Sequence, residues 1–244
     1  MFCDFYFENL EAVMEFALND NNEKTHASQA DKKQNYYCPL CNGKVILRRG
    51  QINIEHFAHK NKCVDTWKYD MSEWHSQWQK QFPKKNQEVV IEFNGEKHRA
   101  DVMACGYVIE FQHSPITAEE FSERNQFYLN YGKKVIWIFD VIDEYKSGRI
   151  TCYGEWHRNN NNGGKYKWSY PKRFLENYLP QDNKDIIVFF QFTESIHSDI
   201  DEAYIERVIW AIEEYGFSNF KRFHTSYEPC NFLELLKSIK EHKL

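Results

Sequence analysis

Positive charge is not in excess in this chain: 31 Lys and Arg stand against 36 Asp and Glu, a net charge of −5 over 244 residues. That balance excludes a small basic binder whose whole surface coats nucleic acid. It leaves room for a local basic groove, and Lys80, Lys84 and Lys85, Lys133 and Lys134, and Lys165, Lys167, Lys172 and Arg173 form three clusters. Each taken singly reads as a solvated face. No stretch reaches the roughly 18 apolar residues of a membrane helix. The N-terminus lacks a basic region followed by an apolar run, so a cytoplasmic protein with no membrane partner is expected. Cysteine is too uneven for a disulfide framework. Of the 7, Cys38, Cys41 and Cys63 crowd together, while Cys3, Cys105, Cys152 and Cys230 scatter. What is abundant is aromatic, with 15 Tyr, 19 Phe and 7 Trp. Rings of this kind fill cores more often than they stack on bases.

The crowded cysteines belong to the segment YYCPLCNGKVILRRGQINIEHFAHKNKC, Tyr36 to Cys63. Cys38 and Cys41 have C-x-x-C spacing, and His59 and Cys63 have H-x-x-x-C spacing. Two close pairs of soft or borderline ligands suit a tetrahedral Zn2+, and four protein ligands close such a site, which makes it structural rather than catalytic. Pro39 and Gly43 fit the tight turn of a knuckle. His56 is a spare candidate ligand.

A second concentration of chemistry lies in QEVVIEFNGEKHRADVMACGYVIEFQHS, Gln87 to Ser114. Asn94-Gly95 is a strong signal for a two-residue hairpin turn, and Cys105-Gly106 a weaker one. With both read as two-residue loops, Glu88 falls opposite Asp101, and Asp101 opposite Glu110. Opposed residues share a face with their Cβ atoms about 5 Å apart. Gln112 joins that face by period-two alternation. A row of carboxylates repels itself, and a hard divalent cation with oxygen ligands relieves the repulsion.

Helices flank the row. Asp70 to Phe82 opens with a D-x-x-E capping pattern, Asp70 to Glu73. It carries an apolar stripe of Met71, Trp74, Trp78 and Phe82, with His75 in its midst. His75 is either a group sent into a site or a hydrogen-bonded core histidine. Thr117 and Glu120 cap a second helix, Ala118–Tyr131, on which Arg124 and Tyr128 share a face. Lys133–Val141 reads as a buried strand. Farther on, Arg158–Gly164 reads as a long linker-like loop, Ile186–Phe192 as a strand, and the region Glu202–Tyr215 as an amphipathic helix.

The pieces YYCPLC, EHFAH, SEWH, HRADV, IEFQHSPI, ERNQFY and VIWIFD occur in this order between Tyr36 and Val141. Together they resemble the competence protein CoiA-like family, a branch of the PD-(D/E)XK nuclease superfamily. The resemblance implies an α/β fold, an αβββαβ restriction-endonuclease-like core behind a small zinc knuckle. Three regions follow: 1–66 with the zinc module, 67–145 as nuclease core, and 146–244 as an extension of open role, where a protein partner or oligomer contact has room to sit. It also implies a nuclease that hydrolyses DNA phosphodiesters with Mg2+ or Mn2+, in competence and recombination or in defence against phage.

On that resemblance Asp101 and Glu110 match the two acidic metal ligands. Gln112 stands where most of the superfamily has lysine, a substitution typical of CoiA-like proteins. Arg124 and Tyr128 resemble a Q-x-x-x-Y helix with Arg in place of Gln. Glu88 or His75 would complete the ligand shell, and Lys80 or Arg124 would supply the charge that Gln112 lacks. The competing reading is a nuclease fold that binds DNA without cutting it, which glutamine for lysine and the acidic balance favour.

Overall fold

The computed structural model describes residues 13–50, 54–61, 63, 64, 67, 69, 72–158, 161–171, 184–193, 205–214, 220–226, 237–239 and 241. The chain divides into two compact units, Met1–Glu73 with Val90–Arg99, and Trp74–Val89 with Ala100–Leu244. Among the described residues no helix is long and apolar enough to cross a membrane.

The first unit is built on short strands: β1 (Val13–Met14), β2 (Phe16–Asn19), β3 (Lys24–His26), β4 (Tyr36–Tyr37), β5 (Lys44–Arg48) and β6 (His56–His59). They form one antiparallel sheet in the order β1-β6-β5-β4-β2-β3. Met14, Ala17, Tyr36, Val45 and Phe57 form its core together with Cys38. Strands of two to five residues supply few ladder bonds, so side chains tie the loops instead. Arg49 donates from Nη2 to the carbonyls of Ala27, at 3.0 Å, and Ala30, at 2.8 Å.

The remaining elements are α1 (Glu73–Gln79), β7 (Gln87–Phe93), β8 (Glu96–Ala104), β9 (Tyr107–Gln112), α2 (Ala118–Asn130), β10 (Lys134–Asp140), α3 (Ile142–Lys146), β11 (Ile150–Arg158), β12 (Asn161–Ser169), β13 (Ile186–Gln191), β14 (Ile205–Glu214) and β15 (Phe220–Ser226). The nine strands form one sheet in the order β11-β12-β15-β14-β13-β10-β9-β8-β7. The expected succession of helix, three strands, helix and strand is there as α1, β7, β8, β9, α2 and β10. Both hairpin turns have left-handed backbone at both positions: Asn94 and Gly95 at φ 50 and 85, Cys105 and Gly106 at φ 51 and 86. That is the requirement of a type I′ turn. The pairs Ala104–Tyr107, Met103–Val108 and Val102–Ile109 follow from the second turn.

β9, β10 and β13 run parallel, and α2 makes the crossover from β9 to β10 that parallel neighbours require. Every residue of β9 is buried, as in a sheet covered on both faces. On one face Trp78 and Phe82 pack with Ile109, Phe111, Ile136, Ile138 and Phe189. On the other, Phe121 of α2 meets Trp137 and Phe139 of β10.

Two expectations are overturned, and one is shortened. Among its described residues the stretch Arg158–Gly164 is strand rather than loop: β11 runs to Arg158 and β12 starts at Asn161, the two pairing through Glu155–Gly164 and Trp156–Gly163. The region Glu202–Tyr215 is not a helix among its described residues but the strand β14. Its ladder with β15 shifts register between Val208 and Trp210 and again between Trp210 and Glu213. Bulges of this kind break strict alternation, which let the apolar residues imitate helical spacing. The first helix is shorter than its apolar stripe, with Phe82 beyond its end. Asp70 and Met71, its expected cap and first stripe residue, lie outside the described residues.

Candidate functional site

In the first unit, Cys38, Cys41, His59 and Cys63 place one ligand atom each within 4.8 Å of all the others. Cys38 Sγ and Cys63 Sγ are 4.0 Å apart, and Cys41 Sγ and His59 Nε2 are 3.9 Å apart. Sulfurs about 2.3 Å from a shared tetrahedral ion would be about 3.8 Å apart, so the donor set fits one metal ion such as zinc. The knuckle is shaped by its backbone. Leu40 N points at Cys38 Sγ, at 3.3 Å, and Gly43 N at Cys41 Sγ, at 3.4 Å. A Cβ on Gly43 would stand 3.1 Å from Cys41 Sγ, tight enough to displace a ligand. The neighbouring Cys63 sulfur and burial push the Cys38 thiol up, against two backbone amides that favour the thiolate. The spare candidate, His56, is elsewhere engaged: its Nδ1 is 2.8 Å from the carbonyl of Ile54.

In the second unit the β8–β9 ladder runs out after Val102–Ile109, and side chains take over. Asp101 Oδ2 accepts from Phe111 N at 2.9 Å, while Asp101 N donates to Glu110 Oε1 at 3.3 Å. The carboxylate of one strand thus binds the backbone of the other where the hairpin splays. Both residues are buried, Glu110 completely. His75 of α1 stands with Nε2 3.3 Å from Asp101 Oδ1. From α2, Arg124 Nη1 lies 2.7 Å from Glu110 Oε2, and Tyr128 donates its hydroxyl to Glu110 Oε1 at 2.9 Å. Burial works against charge on Asp101, but His75, the Phe111 amide and Arg124 outweigh it and hold its carboxyl below the usual range. At Glu110, burial and then the charge of Asp101 push the carboxyl up to about 7, against Arg124 and Tyr128.

The other expected residues take varied places. Gln112 is buried and donates from Nε2 to the carbonyl of Ser114 at 2.6 Å. Glu88 is buried too, but at φ 42 it is left-handed. The unbroken alternation that placed it opposite Asp101 therefore does not run through it. Lys80 is exposed. Arg124 and Tyr128 are almost wholly buried and face Glu110 rather than solvent, and Arg124 Nη2 also reaches Glu120 Oε1 at 2.6 Å. Among the described residues the Cys/His cluster alone brings three or more such ligand atoms together; the carboxylates do not close into a comparable group.

Two further features went unread in the sequence. Gln79, one turn after His75, sets Nε2 2.8 Å from His75 Nε2, and its buried Oε1 has no hydrogen-bond partner. The i,i+4 spacing was the available signal. His113 pairs with Asp140 across β9 and β10, Nδ1 to Oδ2 at 2.7 Å. Only the parallel pairing of two strands brings that pair together, so no local spacing announces it.

Comparison with known proteins adds two matches: residues 19–64 match the family model for the competence protein CoiA, N-terminal domain, and residues 65–153 that for the competence protein CoiA, nuclease-like domain. No curated protein and no solved structure matches the chain.

Proposed function

The chain belongs to the CoiA-like competence protein family, and on that premise we propose that it is a metal-dependent nuclease hydrolysing the phosphodiester bonds of DNA. In this reading α1 to β10 form a PD-(D/E)XK core, and the Cys/His cluster holds a structural Zn2+. The observation that supports it best is the pair of buried carboxylates, Asp101 and Glu110, at the splayed end of the β8–β9 hairpin. Oxygen donors of this type suit Mg2+ or Mn2+. A bound cation would polarise the scissile phosphate and lower the pKa of the attacking water.

His75 would hold Asp101, and Arg124 and Tyr128 would hold Glu110, rather than touching substrate directly. Gln112 would orient the water through its amide oxygen, and Lys80 would meet the nucleic-acid backbone. The setting is competence and recombination or defence against phage.

A specific observation favours a second reading, a DNA-binding module without cleavage. Glu110 is already neutralised by Arg124, and Gln112 carries no charge. Incubation with single- and double-stranded DNA and RNA, in Mg2+, Mn2+ or EDTA, tests the proposal. Cation-dependent cleavage that Asp101→Ala abolishes supports the nuclease. Binding without cleavage under every condition supports the module.

A further inference from the structure

The carboxyl-terminal edge of the parallel strands carries a second polar constellation. In register, Phe139 lies beside Gln112 and Asp140 beside Gln191, so β9, β10 and β13 end nearly level. In open α/β sheets this edge, outside the carboxyl ends of parallel strands, is where ligands bind. His113 is the first residue beyond β9. Its Nδ1 is 2.7 Å from Asp140 Oδ2. The other oxygen, Asp140 Oδ1, accepts from the Ile142 amide at 3.0 Å, and Asp140 is buried. The dyad is therefore fixed at its acidic end. Trp74 flanks the imidazole, ring centroids 6.2 Å apart, and its indole N–H is itself held by Gln191 Oε1 at 2.8 Å.

An ionised carboxylate only accepts, so Asp140 keeps the proton on Nδ1, and the neutral imidazole carries its lone pair on Nε2. A carboxylate that orients a histidine in this tautomer also stabilises the imidazolium formed when Nε2 takes a proton. The His113 side chain is 43% exposed, which water and substrate can reach; a histidine serving only the core would be buried. Phe111, whose amide binds Asp101, lies two residues earlier, about 7 Å along the strand. Gln112, the residue before His113, cannot take the water's proton, and its amide nitrogen is committed to Ser114.

Resting on the nuclease reading above, we infer that His113 is the general base of the hydrolysis and Asp140 its positioning residue. As the water oxygen bonds to phosphorus, its proton passes to His113 Nε2. The bond from phosphorus to the leaving oxygen breaks with its electron pair on that oxygen, which takes a proton from solvent. His113 then returns its proton to solvent.

The test is single-turnover cleavage of DNA in Mn2+ by the full chain, comparing wild type, Asp101→Ala, His113→Ala and Asp140→Asn. His113→Ala should lower the maximal rate about a hundredfold or more while leaving the half-saturating DNA concentration unchanged, and added imidazole should restore part of the rate. Asp140→Asn, which preserves shape and is expected to fold, should also slow cleavage, through the wrong tautomer. Wild-type rates in both His113→Ala and Asp140→Asn, with Asp101→Ala inactive, overturn the dyad and leave the nuclease standing. A slow His113→Ala that imidazole does not restore, or a defect confined to half-saturation, overturns it as well. If wild type cleaves nothing, the nuclease reading falls and the dyad's role with it.

Discussion

In the first unit Cys38, Cys41, His59 and Cys63 converge on a point with their ligand atoms within 4.8 Å of one another. In the second, the carboxylates of Asp101 and Glu110 are taken up by His75, the Phe111 amide, Arg124 and Tyr128. The difference teaches what each centre is built for. Four soft or borderline donors that converge in this way fit one metal ion such as zinc. Buried carboxylates need counter-charge or hydrogen bonds at all times. On the proposed nuclease reading the side chains that hold Asp101 and Glu110 are interim partners that a hard cation would displace.

The contrast breaks most sharply on metal removal. The purified chain should carry about one zinc, and Cys38→Ser should lose it with a destabilisation of several kcal/mol, because binding energy at such a site is folding energy. Elemental analysis and denaturant unfolding check both. Magnesium withdrawn from the medium should by comparison leave stability nearly unchanged.

Next in size is Arg124→Ala. It leaves buried Glu110 without its cation, a loss of roughly 3–5 kcal/mol for a broken buried pair. Mg2+ or Mn2+ should then stabilise Arg124→Ala more than wild type, since the ion replaces the missing charge. Equal shifts in thermal midpoint would show that no divalent cation reaches Glu110. Tyr128→Phe removes one hydrogen bond to the same carboxylate and should cost about 1–2 kcal/mol, read by the same unfolding curves.

A further effect lies in β14. Glu206 is fully buried between the hydroxyls of Tyr166 and Thr225. Burial pushes its carboxyl up to about 8, only partly offset by the Tyr166 hydrogen bond. A raised folded-state value favours the fold below the unfolded value of about 4.3, and that contribution is lost as pH rises through 8. Glu206→Gln should flatten the fall in thermal midpoint between about pH 5 and 8, by a few degrees. An unchanged slope would place the proton elsewhere.

The convergence of Cys38, Cys41, His59 and Cys63 was legible because its spacing is local. C-x-x-C and H-x-x-x-C spacing encodes the knuckle within a single stretch. Asn94-Gly95 and Cys105-Gly106 fix hairpin registers by turn geometry, and Thr117, whose hydroxyl caps Glu120 N, marks the start of α2. What stayed hidden depends on irregularity or on distant pairing. Gly163 and Gly164 resembled a linker, yet they sit in β12, where a Cβ on Gly164 would collide with the Tyr166 ring. Glycine there permits close packing rather than a turn. β14 hid behind its bulges. The left-handed backbone at Glu88 could not be foreseen in a residue without glycine's freedom. Arg124 was expected to supply the charge that Gln112 lacks, and only its pairing with Glu110 at 2.7 Å shows it turned inward.

The most direct test of the nuclease account is the single-turnover cleavage rate of a DNA substrate in Mn2+ for wild type and Asp101→Asn, with thermal midpoints measured alongside. The account predicts cation-dependent cleavage by wild type, a rate lower by about a thousandfold or more in Asp101→Asn for loss of a metal ligand, and closely similar thermal midpoints. Equal rates in the two proteins, or cleavage that persists in EDTA, would contradict it.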